Sequence, residues 1–165
     1  MDIVPLHAQI AHLPLALSLL MPFVALGVLL AWRREHLPRA AWLIVVALQA
    51  VLFVTAMAAE RTGHQEEKRI EQLVAEHAVG VHEDAGETFA WVSGVVLLIT
   101  LTVPAMGNAG AAQALAAVSV GAMLVVLVLG YRTGIAGGRL IYQHGAASAY
   151  VTSDPAARQQ EPQAP

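Results

Sequence analysis

The sequence predicts an all-α fold, a four-helix bundle that spans a membrane, and three observations lead to it. The 165-residue chain is 57% hydrophobic and only 13% charged, whereas an ordinary soluble domain carries about 25% charged residues. Four long stretches contain no charged residue, and none shows the strict apolar–polar alternation of a half-buried strand. Because every backbone polar group must be paired in lipid, only helices and closed barrels can cross it.

The four charge-free stretches are the predicted spans, and they cover about residues 13–32, 40–59, 89–106 and 111–131. They contain 20, 20, 18 and 21 residues, close to the about 20 apolar residues that a helix needs to cross the hydrocarbon core. Residues 1–151 are expected to form one membrane domain. The tail 152–165 is rich in Pro, Gln and Ala, and we expect it to be disordered.

The connection between spans two and three contains a helical pattern of its own. Its apolar positions recur at i, i+3, i+4, i+7 and i+11: Ile70, Leu73, Val74, His77 and Val81. This periodicity predicts a short amphipathic helix that caps the bundle or lies in the membrane interface.

The charges of the connections predict the orientation of the bundle. Arg33, Arg34 and Arg39 lie between spans one and two, where Glu35 is the only acidic residue. The opposite side carries six basic and eleven acidic residues. The positive-inside rule therefore places the arginine loop in the cytoplasm and both termini outside.

A glycine stripe marks the last span, where Gly130, Gly134 and Gly138 follow one another at intervals of four residues. Small residues on one stripe allow the close approach of a neighbouring helix or of a flat ligand such as a macrocycle.

Composition also excludes several functions. The chain contains no Cys, which excludes disulfides, covalently attached c-type haem, Cys-ligated iron–sulfur clusters and a thiol nucleophile. The net charge of −3 gives no basic surplus for nucleic acid. No nucleophile, acid–base pair or nucleotide loop identifies an enzyme, so an electron-transfer or accessory protein is the expectation.

The chain contains seven histidines, and the predicted topology places six of them on the outer side, with only His36 in the cytoplasmic loop. Neutral imidazole is the commonest protein ligand for metals and an axial ligand of haem iron. Helix bundles also build cofactor sites from facing helices. His64 and His77 are expected to be exposed or packing residues, because His64 lies in a polar stretch and His77 belongs to the amphipathic face.

Four sequence blocks resemble a known family. Residues 7–17, HAQIAHLPLAL, resemble the opening HPxLVHFPIAL of a bacterial membrane family catalogued as domain of unknown function 2231. Residues 62–67 and 82–87 are similar to its TGxxAEE and HEEAGE blocks, and residues 130–145 to its ending, GxxTGxxGGxLVYxHG. The resemblance covers about residues 5–147, with all four spans in order.

The resemblance implies four cofactor-binding candidates, His7, His12, His82 and His144, and a location in the bacterial inner membrane. It also implies a haem-binding or redox role, since members of the family are commonly associated with respiratory redox modules. Ala8 replaces the usual Pro of the opening block, which puts the presentation of His7 in question.

The leading hypothesis is a small b-type cytochrome that binds haem near the outer face and transfers electrons, with quinone or respiratory redox proteins as partners. His12 and His82 are the preferred axial pair and the primary metal ligands, because small residues follow each of them one turn along the helix. His7 and His144 are a second pair, or they contact a haem propionate or another metal.

Two alternatives belong to other classes of protein. The histidine cluster also suits copper or zinc, with Glu83 and Asp84 as additional ligands. The second alternative is a non-catalytic accessory subunit of a larger membrane complex, or a homo-oligomer. The many small residues and the few aromatic ones favour lateral packing against other subunits.

Overall fold

A computed structural model describes residues 6–70, 76–144 and 146 of the chain. Its four long helices are α1 (Leu6–Arg33), α2 (Trp42–Ile70), α3 (Glu76–Thr102) and α4 (Ala109–Tyr142). Short 3₁₀ helices, Arg39–Ala41 and Val103–Ala105, precede α2 and follow α3. The predicted all-α fold is confirmed. The tail 152–165, predicted to be disordered, lies outside the described residues.

Each helix is long and apolar enough to cross a membrane, which indicates a multi-pass membrane protein. Even the shortest, α3, has 27 residues. At about 1.5 Å per residue it is about 40 Å long, against a hydrocarbon core of about 30 Å. The helices therefore extend beyond the apolar layer.

Much of the additional helix lies in the polar connection between spans two and three. α2 continues past the charge-free stretch to Ile70, and α3 begins at Glu76. The predicted amphipathic segment is thus helical where it is described, but as the end of α2 and the first turns of α3. Its central residues Leu73 and Val74 lie outside the described residues. Glu, Lys and Arg are good helix formers, so a run of charges does not end a helix.

The helices pack in a ring, α1 against α2, α2 against α3, α3 against α4, and α4 against α1. Short connections join α1 to α2 and α3 to α4 at one end, which makes successive helices antiparallel. We call that end, with residues 34–39 and 103–108, the arginine end. We call the opposite end, where α1 and α3 begin and α2 and α4 end, the histidine end.

The centre of the bundle is built from small side chains and a few flexible large ones. Ala25, Ala112 and Ala116 are fully buried, and Met21 and Met123 are buried in the same cluster. Small residues let helix backbones approach closely where lipid supplies no hydrophobic driving force.

Two polar side chains of α2 are buried in this core, and each bonds to the backbone of α3. Gln49 Nε2 donates to the Ser93 carbonyl at 3.0 Å, and Trp42 Nε1 donates to the Thr100 carbonyl at 3.2 Å. These bonds fix the register of α2 against α3, because unpaired polar groups are costly in an apolar interior.

At the arginine end, Arg39 closes the connection after α3. Its Nη2 donates to the carbonyls of Val103 at 2.9 Å, Pro104 at 2.5 Å, and Met106. A cation next to the carbonyls at a helix C-terminus satisfies them and complements the helix dipole.

The glycine stripe of α4 has different surroundings at each of its three positions. A Cβ on Gly130 would lie 2.7 Å from Ser18 Oγ, so this glycine permits close packing of α1 on α4. Within residues 6–70, 76–144 and 146, the nearest atom at Gly134, Leu15 Cδ1, is 3.9 Å away, and Gly138 has nothing within 4 Å. Close packing therefore accounts for the first position only.

Candidate functional site

A cavity of about 550 Å³ lies at the histidine end, between all four helices. Its walls are mostly apolar and small, with Ala11 and Leu15 from α1, Ala56 from α2, Phe89 from α3 and Gly134 from α4. The volume falls within the roughly 300–1,000 Å³ that is typical of small-molecule and cofactor sites. Four histidines and two glutamates also line it: His7, His12, His64, His82, Glu60 and Glu83.

His7 lies in the first turn of α1 and is held by the neighbouring helix. Its Nδ1 donates to the carbonyl of Ala59 on α2 at 2.7 Å. The bond selects the tautomer in which Nε2 carries the lone pair. A metal-ligating histidine almost always donates its other ring N–H in this way to a carbonyl, a carboxylate or water.

His82 lies on α3 across the cavity from α1. Its Nδ1 is buried and has no hydrogen-bond partner among the described residues. A buried polar atom left unsatisfied costs about 1–3 kcal/mol. The atom is therefore a polar group of the cavity wall that a bound ligand or a water molecule can pair with.

The two imidazoles meet inside the cavity. The ring centroids of His7 and His82 are 6.0 Å apart, and the ring planes cross at 85°. The pair joins the beginning of α1 to the beginning of α3, two helices that are diagonal in the ring. Residues 75 positions apart in the sequence are thus brought to one point.

Among the described residues, the ring contact does not include the other two predicted ligands, His12 and His144. His12 lines the same cavity, but its side chain is exposed and its Nδ1 donates to the Ala8 carbonyl of its own helix at 2.5 Å. His82 therefore has His7, and not its predicted partner His12, as its ring neighbour. His144 is exposed just beyond α4 and does not line the cavity.

His64 was expected to be exposed; its side chain is 46% exposed, and it also lies on the cavity wall. Its Nδ1 donates to the Glu60 carbonyl at 3.1 Å and lies 3.5 Å from the Glu60 carboxylate. Its Nε2 contacts the carboxylate of Glu83 on α3. These three residues form a polar cluster that ties α2 to α3 at the cavity. The i, i+4 spacing of Glu60 and His64 was the available signal, once α2 is continued past the charge-free stretch.

The remaining histidines lie away from the cavity. His36 is exposed at the arginine end, and His77 is exposed near the beginning of α3. Within 6–70, 76–144 and 146, no group of three or more His, Cys, Asp or Glu side chains has an arrangement that could hold a metal ion. Asp84, the other predicted additional ligand, is exposed and does not line the cavity.

The chain was compared with protein-family models, curated proteins and solved structures. No family model, no curated protein and no solved structure matches this chain.

Proposed function

We propose that the cavity at the histidine end binds one haem b between His7 and His82, and that the protein transfers electrons in a membrane. The observation that carries the proposal is the pair of imidazoles, 6.0 Å apart, in a mostly apolar cavity. Haem b is held without covalent attachment, which suits a chain that has no Cys.

The separation of the two rings fits one metal ion between them. Imidazole nitrogens bind transition metals at about 2 Å, so two rings with centroids 6.0 Å apart are close enough that His7 and His82 would both reach one metal ion. An edge-to-face contact without a metal has a similar separation. The mostly apolar cavity beside the two rings supports the metal-bound arrangement.

The pair offers the number of ligands that haem requires. Haem iron already has four ring nitrogens and needs only one or two ligands from the protein. Two imidazoles are therefore sufficient for haem, whereas a zinc ion takes three or four side-chain ligands.

The ligand set also bears on the chemistry. Haem supplies an iron that can gain and lose one electron. His7, oriented by the Ala59 carbonyl, and His82 would hold the haem. The apolar walls would exclude water and hold the macrocycle by packing.

The four sequence blocks meet at this cavity, which supports the proposal that the chain belongs to the family that they resemble. His7 represents the opening block, Gly63 the second, His82 the third and Gly137 the ending, and all four line the cavity. Blocks scattered over the sequence therefore share one surface.

We also propose that the histidine end faces the outside of the bacterial inner membrane. The arginine-rich loop at the opposite end supports this orientation through the positive-inside rule. Quinone or redox proteins of the outer side are then the partners that reach the cavity end.

The visible spectrum of the detergent-purified protein, loaded with one equivalent of haem, tests the proposal. The wild type is expected to give a sharp Soret band and, after reduction, the α band of a six-coordinate low-spin haem. His7→Ala and His82→Ala should each lose the α band, because one axial ligand is gone. The matched controls His36→Ala and His77→Ala change histidines outside the cavity and should keep the wild-type spectrum.

Two results would overturn the proposal. A wild type that binds no haem refutes haem binding, and stoichiometric copper or zinc in that protein would favour the second candidate class. A low-spin spectrum that survives in both His7→Ala and His82→Ala refutes this ligand pair. A protein with neither haem nor metal would favour the accessory-subunit hypothesis.

A further inference from the structure

Each of the two paired imidazoles lies against a glycine of the neighbouring helix. A Cβ on Gly63 of α2 would lie 3.3 Å from both Cε1 and Nδ1 of His7. A Cβ on Gly137 of α4 would lie 3.0 Å from Cε1 of His82, 3.5 Å from its Nδ1 and 3.6 Å from its Nε2. At both positions, the described atoms nearest to the place where a side chain would begin belong to an imidazole ring.

Other glycines of the bundle have different surroundings. Gly94 lies against the ring of Phe53, and Gly130 against Ser18 and Phe89, so these two permit ordinary helix packing. Gly80 and Gly138 have no atom of the described residues within 4 Å of a would-be Cβ. The contact with an imidazole thus distinguishes Gly63 and Gly137 from the glycines of the packing interfaces and from those in open space.

The two contacts are equivalent in the two helical hairpins. In the hairpin α1–α2, His7 of the first helix meets Gly63 of the second; in α3–α4, His82 of the first helix meets Gly137 of the second. The two histidines are 75 residues apart and the two glycines 74 residues apart. Each hairpin therefore contributes one imidazole and the glycine against which its ring edge rests.

We propose that Gly63 and Gly137 are positioning residues that fix the crossed orientation of the His7 and His82 rings. A ring whose edge rests on a helix backbone cannot rotate toward that helix, and a methyl group at either glycine would push the ring toward the cavity. For His7, the displacement would also strain the 2.7 Å bond to the Ala59 carbonyl, one turn before Gly63. The consequence for haem rests on the proposed function, whereas the ring positions do not.

The test compares Gly63→Ala and Gly137→Ala with Gly138→Ala and Gly80→Ala. Gly138 is the matched control, because it is adjacent to Gly137 on α4 and a methyl group there meets no atom of the described part of the chain. The first measurement is ¹⁵N NMR of the imidazoles in the cofactor-free protein in detergent. His7 should show the Nδ1–H tautomer in the wild type. Gly63→Ala should shift or abolish the His7 signals, Gly137→Ala those of His82, and the two controls neither.

The second measurement is haem affinity. Changing the groups that orient a metal ligand typically weakens metal binding about 10- to 100-fold, so this loss is expected for Gly63→Ala and Gly137→Ala and not for the controls. If the wild type binds no haem, the proposed function fails, and the NMR comparison alone decides the role of the glycines. Unchanged His7 and His82 signals in the two variants would overturn that role.

A variant that fails to fold is also informative. If Gly137→Ala does not fold because its methyl group meets the ring, the double variant Gly137→Ala/His82→Ala should fold again, since the obstacle has been removed. A double variant that remains unfolded would mean that Gly137 is required for some other reason, and would contradict the inference.

Discussion

The imidazoles at the cavity differ in which helix holds them. The Nδ1 of His7 is bonded across the interface to α2, while those of His12 and His64 donate to carbonyls one turn back on their own helices. A bond to another helix fixes the ring relative to the bundle, whereas a bond within the helix fixes it only relative to its own backbone. His7 is therefore the better oriented ligand.

Sequence reasoning found His7 and His82 as candidates but not as a pair. It preferred His12 because small residues follow His12 and His82 at the same interval. The helix α1 begins at Leu6, early enough for His7 to lie in its first turn. Ring contact between α1 and α3 depends on how diagonal helices converge, and no local spacing encodes that.

At the scale of single residues, His12→Ala separates the two possible pairs. The haem-loaded variant is expected to retain the low-spin α band, because His7 and His82 remain. We expect its haem affinity to fall by less than about tenfold, equivalent to about 1.4 kcal/mol, as for a residue that only lines the cavity. Loss of the α band in His12→Ala, with retention in His7→Ala, would restore the His12–His82 pair.

The helices themselves were predictable, because a stretch of about 20 residues without charge is long enough to cross lipid and does so as a helix. Their ends were not. Hydropathy changes where the chain leaves the apolar layer, but α2 continues as a helix to Ile70 and α3 already begins at Glu76. These polar turns carry Glu60, His64, His82 and Glu83 to the cavity, so the site lies largely beyond the stretches that define the spans.

At the scale of the helices, Gly130→Ala tests the close packing of α1 on α4. The new methyl group would lie 2.7 Å from Ser18 Oγ and 3.2 Å from Phe89 Cε2. Overpacking of this kind typically costs about 1–3 kcal/mol, so the unfolding temperature in detergent should fall.

Gly121→Ala is the control for this prediction. Gly121 lies on the same helix with no atom within 4 Å, and Ala is the better helix former. Its unfolding temperature should be equal to or above that of the wild type. Equal unfolding temperatures for the Gly130 and Gly121 variants would show that α1 and α4 are not packed as described.

The whole molecule combines a predicted architecture with an unpredicted cavity. Alternating spans and short connections are sufficient for an antiparallel bundle. The cavity arises because Ala11, Ala56, Gly86 and Gly134 face one another at the same level of four different helices. Periodicity describes one helix at a time, so it does not reveal where small residues of several helices coincide and leave space.

Orientation in the membrane can be tested on the whole molecule with single cysteines. The chain has no Cys, so His36→Cys and His144→Cys each provide one thiol, at the arginine end and at the histidine end. In intact bacterial cells, a membrane-impermeant thiol reagent should label the His144 variant and spare the His36 variant. The reverse labelling would place the arginine loop outside and invert the proposed topology.

Electron paramagnetic resonance of the oxidised, haem-loaded wild type tests the central claim most directly, because its low-spin signal depends on the angle between the two axial imidazole planes. With His7 and His82 crossed at 85°, we predict the strongly anisotropic signal with a single large g value that perpendicular planes produce. A high-spin signal, or the rhombic low-spin signal of parallel planes, would contradict the assignment of this pair as the haem ligands.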